Sequence, residues 1–435
     1  MKSYSETLNT IYNLRGGEVD LRLHRVTRAL ALFGHPERRF PSFHIAGTNG
    51  KGSTAAMLHG ILCAQGYRAA LYTSPHLSSF TERMRVGDGE ITPQEVVELA
   101  EALTAQLDRA GIALTFFEFV TVMALVYFAR SEIDVAVVEV GLGGRLDATN
   151  LVHPKVSIIT TIAKDHEAYL GSDLESIARE KGGIIKDGIP VIGGPLAPEA
   201  RAVIETLSQA HKTKNYFLGR DFSVTMDDTG QFDYEGPQWH LKELSVALHG
   251  AHQRNNAALA LAALEVSGRD FPVEETAVRE GLKEVIWPGR LEMLGSSPTV
   301  ILDGAHNMEG VEMLVREIRA LAGDRRVHIL FGAMGDKDWQ GMLKELARVA
   351  YGFILTRAPM ERSVDPQALC QSLPPGVSGR AVDDPLQAAV LLLESAAADD
   401  VVLVTGSIYL LGEVRPFLLR AMKPCATAAG RPGAL

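Results

Sequence analysis

The stretch Ser42-Phe43-His44-Ile45-Ala46-Gly47-Thr48-Asn49-Gly50-Lys51-Gly52-Ser53-Thr54 decides the fold. A short apolar run, Ser42 to Ala46, leads into a glycine-rich turn, and Ser53 to Ala64 then reads as a helix. At a helix N-terminus the backbone N–H groups lack intrahelical partners, and the helix dipole favours negative charge. Glycines let the backbone curl around phosphate oxygens without Cβ clashes. Gly47, Thr48, Asn49, Gly50, Lys51, Gly52, Ser53 and Thr54 are therefore the expected phosphate cradle. Lys51 would reach the β and γ phosphates, and the Ser53 hydroxyl would ligate Mg²⁺. The spacing departs from G-x-x-x-x-G-K-[ST]: position 45 is Ile, and Gly52 separates Lys51 from Ser53. The common GTPase and kinase loop is a poorer match.

Outward from this loop, apolar strands alternate with helical patterns. Ala69 to Tyr72 is a second strand, and Pro93 to Arg109 has helical periodicity with proline near its start. Asp134 to Val140 is a valine-rich run of the kind buried on both faces of a parallel sheet. Val156 to Thr161 and Pro190 to Ile192 continue the series, so an α/β sheet with right-handed crossovers is expected. From Phe222 to Leu248 short alternating segments, broken by Asp227-Asp228-Thr229-Gly230 and Glu235-Gly236-Pro237, read as hairpins. His252 to Val266 and Val273 to Lys283 read as helices. Trp287-Pro288-Gly289-Arg290 ends the last helix and opens an irregular linker. Beyond it, strands at Thr299 to Leu302, Val327 to Phe331, Phe353 to Thr356 and Val401 to Val404 each precede a helical pattern. The expected organisation is a P-loop-containing, mostly parallel α/β domain over 1–286, a linker over 287–297, a smaller Rossmann-like α/β domain over 298–422, and a tail over 423–435 without fixed structure.

Composition narrows the function classes. A chain of 435 residues exceeds one ordinary core and suits two domains. Acidic residues outnumber basic ones, 53 to 43, for a net charge of -10, which disfavours nucleic acid as a partner. Cys63, Cys370 and Cys425 are far apart and odd in number, so neither a disulfide framework nor a zinc site is supported, and a reducing cytoplasm fits. The N-terminal residues lack the apolar core of a signal peptide. The most apolar run, Phe116 to Ala129, is short and contains Glu118, so it reads as a buried helix and no membrane partner is expected.

Further chemistry-bearing residues recur after strands. Glu139 ends the valine-rich run and precedes Gly141-Leu142-Gly143-Gly144-Arg145-Leu146-Asp147. In an open α/β sheet ligands bind at the carboxyl ends of strands, where Glu139 can hold a metal ion level with the phosphate loop. His166 follows the Val156 to Thr161 strand, where a hydrogen-bonded loop histidine and a metal ligand are equally good readings, because Mg²⁺ prefers oxygen. Lys181 sits late in a helix, a position that is ordinarily solvated. Asp303-Gly304-Ala305-His306-Asn307 follows a strand and precedes a helix in the second domain, either as a site facing the phosphate loop or as a helix cap. Asn255, Asn256 and Arg290 lie near the linker, where they would flank a nucleotide.

Together these residues resemble the folylpolyglutamate synthase/dihydrofolate synthase family of the Mur ligase group. Phe43 to Ser53 and Val137 to Val152 match its two signatures, the second one long and specific. Thr73-Ser74-Pro75-His76-Leu77, Glu82-Arg83, Phe116-Phe117-Glu118, Asp165-His166, Glu180-Lys181, Gln253 to Asn256, Pro288-Gly289-Arg290 and Asp303 to Asn307 follow in the family's order. The resemblance implies that Lys51 and its loop bind ATP, and that Ser53, Ser74, Glu139 and His166 serve Mg²⁺. It implies nucleotide contacts from Asn255, Arg290 and Asp303. It also implies a pterin-side pocket lined by Thr115, Phe116, Phe117, Glu118, Arg145, Leu146 and Asp147, with His76 and Arg83 as further substrate contacts. Lys181 corresponds to a lysine carbamylated by CO₂. Two positions depart from the family's pattern: Glu167-Ala168-Tyr169 follows Asp165-His166, and Lys164 precedes it.

The implied reaction joins a carboxylate, of dihydropteroate or of a folate's terminal glutamate, to the amine of L-glutamate. ATP activates the carboxylate as an acyl phosphate, and a cleft closing at the linker would keep water out. His306 is the candidate acceptor of the amine proton, and a monomer is the default. Two other readings are open: a ligase of the same mechanism with another acceptor, and a nucleotide-gated P-loop protein that ligates nothing. The pterin-side matches favour the folate ligase. The last reading would leave Glu139, His166 and Lys181 idle.

Overall fold

A computed structural model describes residues 2–14, 23–227 and 230–422. The tail expected over 423–435, and Asp228-Thr229 of the first expected turn, lie outside the described residues. The chain divides into two compact units, Met1–Ala247 with Ala251–Ile286, and Leu248–Gly250 with Trp287–Leu435.

In the first unit, β1 (Ser42–Ala46), β2 (Ala69–Tyr72), β3 (Met84–Val86), β4 (Gly89–Glu90), β5 (Val135–Glu139), β6 (Pro154–Ile159), β7 (Val191–Gly193) and β8 (Asn215–Phe217) form one sheet in the order β4-β3-β2-β5-β1-β6-β7-β8. It is parallel except for β3 and β4, which add antiparallel at one edge. Every residue of β1, β2 and β5 is buried, as their unbroken apolar runs require. Helices cover the sheet. Phe116–Arg130, the short apolar run read above as a core helix, buries Phe119, Val122, Met123, Val126 and Phe128. Truncating one such aromatic to alanine costs about 3–5 kcal/mol. The helix Lys51–Ala64 is buried along most of its length, and Gly281 of the helix Glu275–Glu284 lies directly against the Ile61 backbone. The alternating segment beyond β8 forms β9 (Ser223–Met226), β10 (Phe232–Glu235) and β11 (His240–Leu244), a separate antiparallel sheet.

The second unit contains β12 (Glu292–Ser296), β13 (Thr299–Leu302), β14 (Val327–Phe331), β15 (Gly352–Leu355), β16 (Gly379–Ala381) and β17 (Val401–Thr405), ordered β12-β13-β17-β14-β15-β16. β13 to β17 run parallel, and β12 pairs antiparallel with β13. Residues 292–296, expected as part of an irregular linker, are thus an edge strand. Their half-buried pattern lacks the unbroken apolar signal of a central strand. No helix among the described residues is long and apolar enough to cross a membrane.

Candidate active site

Four strands of the first sheet end side by side. Tyr72 of β2 is level with Val138, Glu139 of β5 with Ile45, and Ala46 of β1 with Ile159 of β6. The chain leaves β1 towards β2 on one side and later passes from β5 to β6 on the other, so β1 marks a topological switch point, where α/β sheets open a crevice.

The loop after β1 enters the helix Lys51–Ala64 at Gly50, which has a φ of 84° and provides no side-chain cap. At two glycines a Cβ would meet a neighbouring side chain. A Cβ on Gly47 would run into the Thr160 hydroxyl, and one on Gly50 into the Asn256 amide oxygen. The loop is fastened to the segment after β6. Thr48 N donates to Thr161 O (2.8 Å), Asn49 N to the Thr161 hydroxyl (3.0 Å), and the Thr160 hydroxyl to Asn49 O (2.6 Å). Ala163 N donates to the Thr48 hydroxyl (3.0 Å).

Lysines converge on this loop. Lys51 Nζ donates to the Gly47 and Thr48 carbonyls (3.0 and 3.1 Å), and Lys181 Nζ donates to the same Gly47 carbonyl (2.9 Å). Lys181 is only 5% exposed, which corrects the solvated reading of a helix-end lysine. It shares the inner face of the helix Leu174–Gly182 with Ile177 and Ala178, the i, i+3 and i+4 spacing of a buried stripe. Glu139 is buried at the end of β5 and accepts from Ser74 N (3.1 Å). His166 has a φ of 52° and precedes the short helix Glu167–Leu170, with Nε2 3.9 Å from Asp165 Oδ2.

Beside this centre the loop after β5 is built around Asp147. Its Oδ2 accepts from Gly141 N and Leu142 N (3.1 and 2.9 Å), and its Oδ1 from Thr149 N (3.0 Å) and the Thr149 hydroxyl (2.5 Å). Burial pushes the Asp147 pKa up, against these four donors. Four donors leave no lone pair for a proton, so the carboxylate is an anchor within its own loop. Arg145 projects outward and pairs with Glu180 (2.8 Å), while its N–H donates to Glu180 O (2.8 Å). Leu146 is half-buried between them. Gly141 lies against the Phe117 ring.

A second group gathers near the start of the helix Phe116–Arg130. Thr115 caps that helix, Glu118 completes the capping box, and the Glu118 carboxylate also pairs with Arg25 (3.2 Å). Arg83 is buried with its guanidinium 5.3 Å from the Phe116 ring centre and 6.0 Å from that of Phe80. Its Nε donates to His76 Nδ1 (2.8 Å). Burial, and then the Arg83 charge, push the His76 pKa down to about 3, so the ring is a neutral acceptor. Tyr12, 47% exposed, stacks at 5.5 Å on Phe116 and edge-on to Phe80 at 6.4 Å. The result is an aromatic and cationic surface suited to a flat, electron-rich ring.

In the second unit the loop after β13 is organised by Asp303, whose oxygens accept from Leu291 N and Ala305 N (both 2.9 Å). Burial raises the Asp303 pKa, and the Arg290 charge opposes that shift. Arg290 Nη1 donates to Gly289 O (2.9 Å). His306 Nδ1 faces the Gly304 carbonyl (2.8 Å), so Nδ1 carries a hydrogen. Asn307 caps the helix Met308–Ala322.

The chain matches the family models for the Mur ligase middle domain over residues 45–264 and for the Mur ligase, glutamate ligase domain over 289–408. It is 38% identical to the dihydrofolate synthase/folylpolyglutamate synthase of Escherichia coli (strain K12), covering 94% of this chain and 93% of that one. The solved structure of E. coli FolC in complex with DHPP and ADP superposes with a TM-score of 0.89 at 36% identity, covering 97% of this chain and 98% of that one. The bifunctional folylpolyglutamate synthase/dihydrofolate synthase from Yersinia pestis, complexed with AMPPNP and Mn ion, gives a TM-score of 0.87 at 32% identity, over 96% and 98% of the two chains.

The chain belongs to the folylpolyglutamate synthase/dihydrofolate synthase family.

In this family member, the first unit brings together Gly47 to Thr54, Ser74, Glu139 and Lys181 around the ends of β1, β2 and β5. Asn255 is half-buried on the helix His252–Val266, one residue from the Asn256 that meets Gly50. Sequence reasoning missed Thr160 and Thr161, which hold the phosphate loop. Their signal is a pair of hydroxyl residues directly after an apolar strand. It also missed Tyr12, which comes from a distant helix, Tyr4–Tyr12, with no local motif.

Proposed function

We propose that the chain is an ATP-dependent amide ligase that adds L-glutamate to dihydropteroate, to the γ-carboxylate of (tetrahydro)folates, or to both. The observation that carries this reading is the pair of lysine ammonium groups on the Gly47 carbonyl, beside a glycine loop that no side chain caps. An uncapped N-terminus with cationic side chains is suited to a polyphosphate.

The substrate carboxylate attacks the γ-phosphate of ATP, giving an acyl phosphate and ADP. Lys51 stabilises the charge that spreads over the transferring oxygens. The amine of glutamate then attacks the acyl carbon and expels inorganic phosphate, and His306 Nε2 is the proposed acceptor of the amine proton. Asn255, Arg290 and Asp303 are the proposed nucleotide contacts. Arg83, His76, Phe116, Phe117 and the Thr115 to Glu118 turn, with Arg145 to Asp147, are the proposed pterin-side surface. The chain is proposed to act as a monomer.

Ser53, Ser74, Glu139 and His166 would hold Mg²⁺. Among the described residues no three or more His, Cys, Asp or Glu side chains form a metal cluster. The set still fits, because Mg²⁺ keeps several waters and takes phosphate oxygens in preference to an all-protein cage, and Glu139 is a buried oxygen donor level with the loop. When bound, the ion would neutralise phosphate charge. Carbamylation of Lys181 would replace one of two neighbouring ammonium groups with an anionic oxygen donor. Intact mass of the purified, metal-loaded protein tests it: a carbamate adduct lost in Lys181→Ala is expected, and a bare amine refutes it.

An assay of ADP release tests the reaction. ADP and phosphate are expected in equal amounts when ATP, glutamate and either dihydropteroate or tetrahydrofolate are all present. No ADP with either acceptor overturns the reading, and running both acceptors side by side assigns the substrate.

A further inference from the structure

His44 lies in the middle of β1, three residues before the phosphate loop, and is fully buried. Its Nε2 sits 2.9 Å from the Thr149 hydroxyl, which in turn sits 2.5 Å from Asp147 Oδ1. Asp147 also receives Gly141 N, Leu142 N and Thr149 N. A carboxylate with four donors can only accept, so the Thr149 hydroxyl must spend its proton on Asp147. The oxygen of that hydroxyl then accepts from His44, which fixes the ring as the Nε2–H tautomer. The opposite nitrogen, Nδ1, is buried without a hydrogen-bond partner among the described residues. Burial and the Lys186 charge keep the ring neutral, with its pKa pushed down to about 3. The bonds therefore converge on Asp147: His44 donates to Thr149 and Thr149 to Asp147, while the N–H groups of Gly141 and Leu142 donate to the same carboxylate from the other side.

These bonds start at the strand that feeds the phosphate loop and end in the loop that carries Arg145. The phosphate loop does not depend on them, because Thr160, Thr161 and Ala163 fasten it from the β6 side. We propose that His44 and Thr149 are positioning residues for the acceptor side of the site, setting the curl of the 141–147 loop from which Arg145 and Leu146 meet the folate-type carboxylate substrate. This rests on the ligase reading above and adds two residues to it.

Thr149→Val removes the hydroxyl at nearly constant shape. Loss of one hydrogen bond to a buried charge should raise KM for the pterin or folate acceptor by about tenfold, with KM for ATP unchanged. Thr149→Ser should restore the wild-type value. His44→Phe should have a similar effect, and the double variant Thr149→Val/His44→Phe should be no worse than the more affected single one, because both break the same link. An unchanged acceptor KM, a parallel rise in both KM values, or additive effects overturns the proposal. Calorimetry of ATP binding checks that each variant is folded. If the wild-type protein turns over ATP with neither acceptor, the ligase reading fails instead, a result that no substitution at His44 or Thr149 produces.

Discussion

The two units contain the same device in two states. In each, a buried parallel strand runs into a short loop that opens a helix, β1 into Lys51–Ala64 and β13 into Met308–Ala322. The first helix starts at Gly50, with no side-chain cap. The second starts at Asn307, whose side chain accepts from Gly310 N (2.9 Å). The loops are also held differently. Neighbouring hydroxyl residues fasten the first from outside, whereas Asp303 fastens the second from within. A helix start that a side chain caps has less left for an anion, and one without such a cap is suited to receive one. Strand-loop-helix architecture therefore does not itself specify a nucleotide site. The cap residue decides between the two states.

Exchanging the caps should break the distinction. Asparagine tolerates the left-handed backbone of Gly50, so Gly50→Asn should fold, while its side chain competes for the helix N–H groups and crowds Asn256. An increase in KM for ATP of about tenfold or more is expected, equivalent to about 1.4 kcal/mol. Unchanged nucleotide binding would show that the open N-terminus is incidental. The mirror variant, Asn307→Ala, should lower stability by about 1 kcal/mol and Tm by a few degrees. It should leave KM for ATP within about twofold, because the Asn307 side chain caps the start of its own helix. Thermal melts and steady-state kinetics on both proteins are sufficient.

The first of these helix starts could be read directly from the sequence, and the second only in part. Glycines, a lysine and hydroxyls at fixed offsets announce a phosphate loop because each is required by backbone geometry or charge. Asp303 to Asn307 gave no such certainty, since the same residues cap helices everywhere. The central strands of both sheets announced themselves by continuous apolar runs. β3, β4, β8, β12 and β16 did not, because strands at or next to a sheet edge are short and only partly buried. The helix-end position of Lys181 pointed to solvent and only the family resemblance pointed to the site, although its spacing from Ile177 also puts it on the buried face. The Asp147–Thr149–His44 chain was out of reach for another reason. Its members are 105 residues apart at the extremes, and only the pairing of β1 with its neighbours brings them together.

Acid offers a finer test of the same contrast. His44 lies beneath the open loop, and His59 lies in the helix that the loop begins. Burial pushes their pKa values from 6.5 down to about 3 and about 4 respectively. In the unfolded chain both protonate as pH falls through about 6.5, while the folded rings stay neutral. The unfolded state then binds more protons, so stability falls as pH drops from about 6.5 towards 4 and is fully present above that range. Each imidazole contributes a slope that approaches about 1.4 kcal/mol per pH unit well below 6.5. The first unit should therefore be the one that loosens between pH 7 and pH 5. Single-tryptophan variants can report on each unit separately, keeping Trp239 in the first or Trp339 in the second. The Trp239 transition should shift to lower temperature more steeply with falling pH, and His44→Phe should flatten that dependence by the contribution of one proton whatever it does to Tm at neutral pH. Equal slopes for the two reporters, or a slope unchanged by His44→Phe, would mean that these buried rings are not what makes the nucleotide-side unit sensitive to acid.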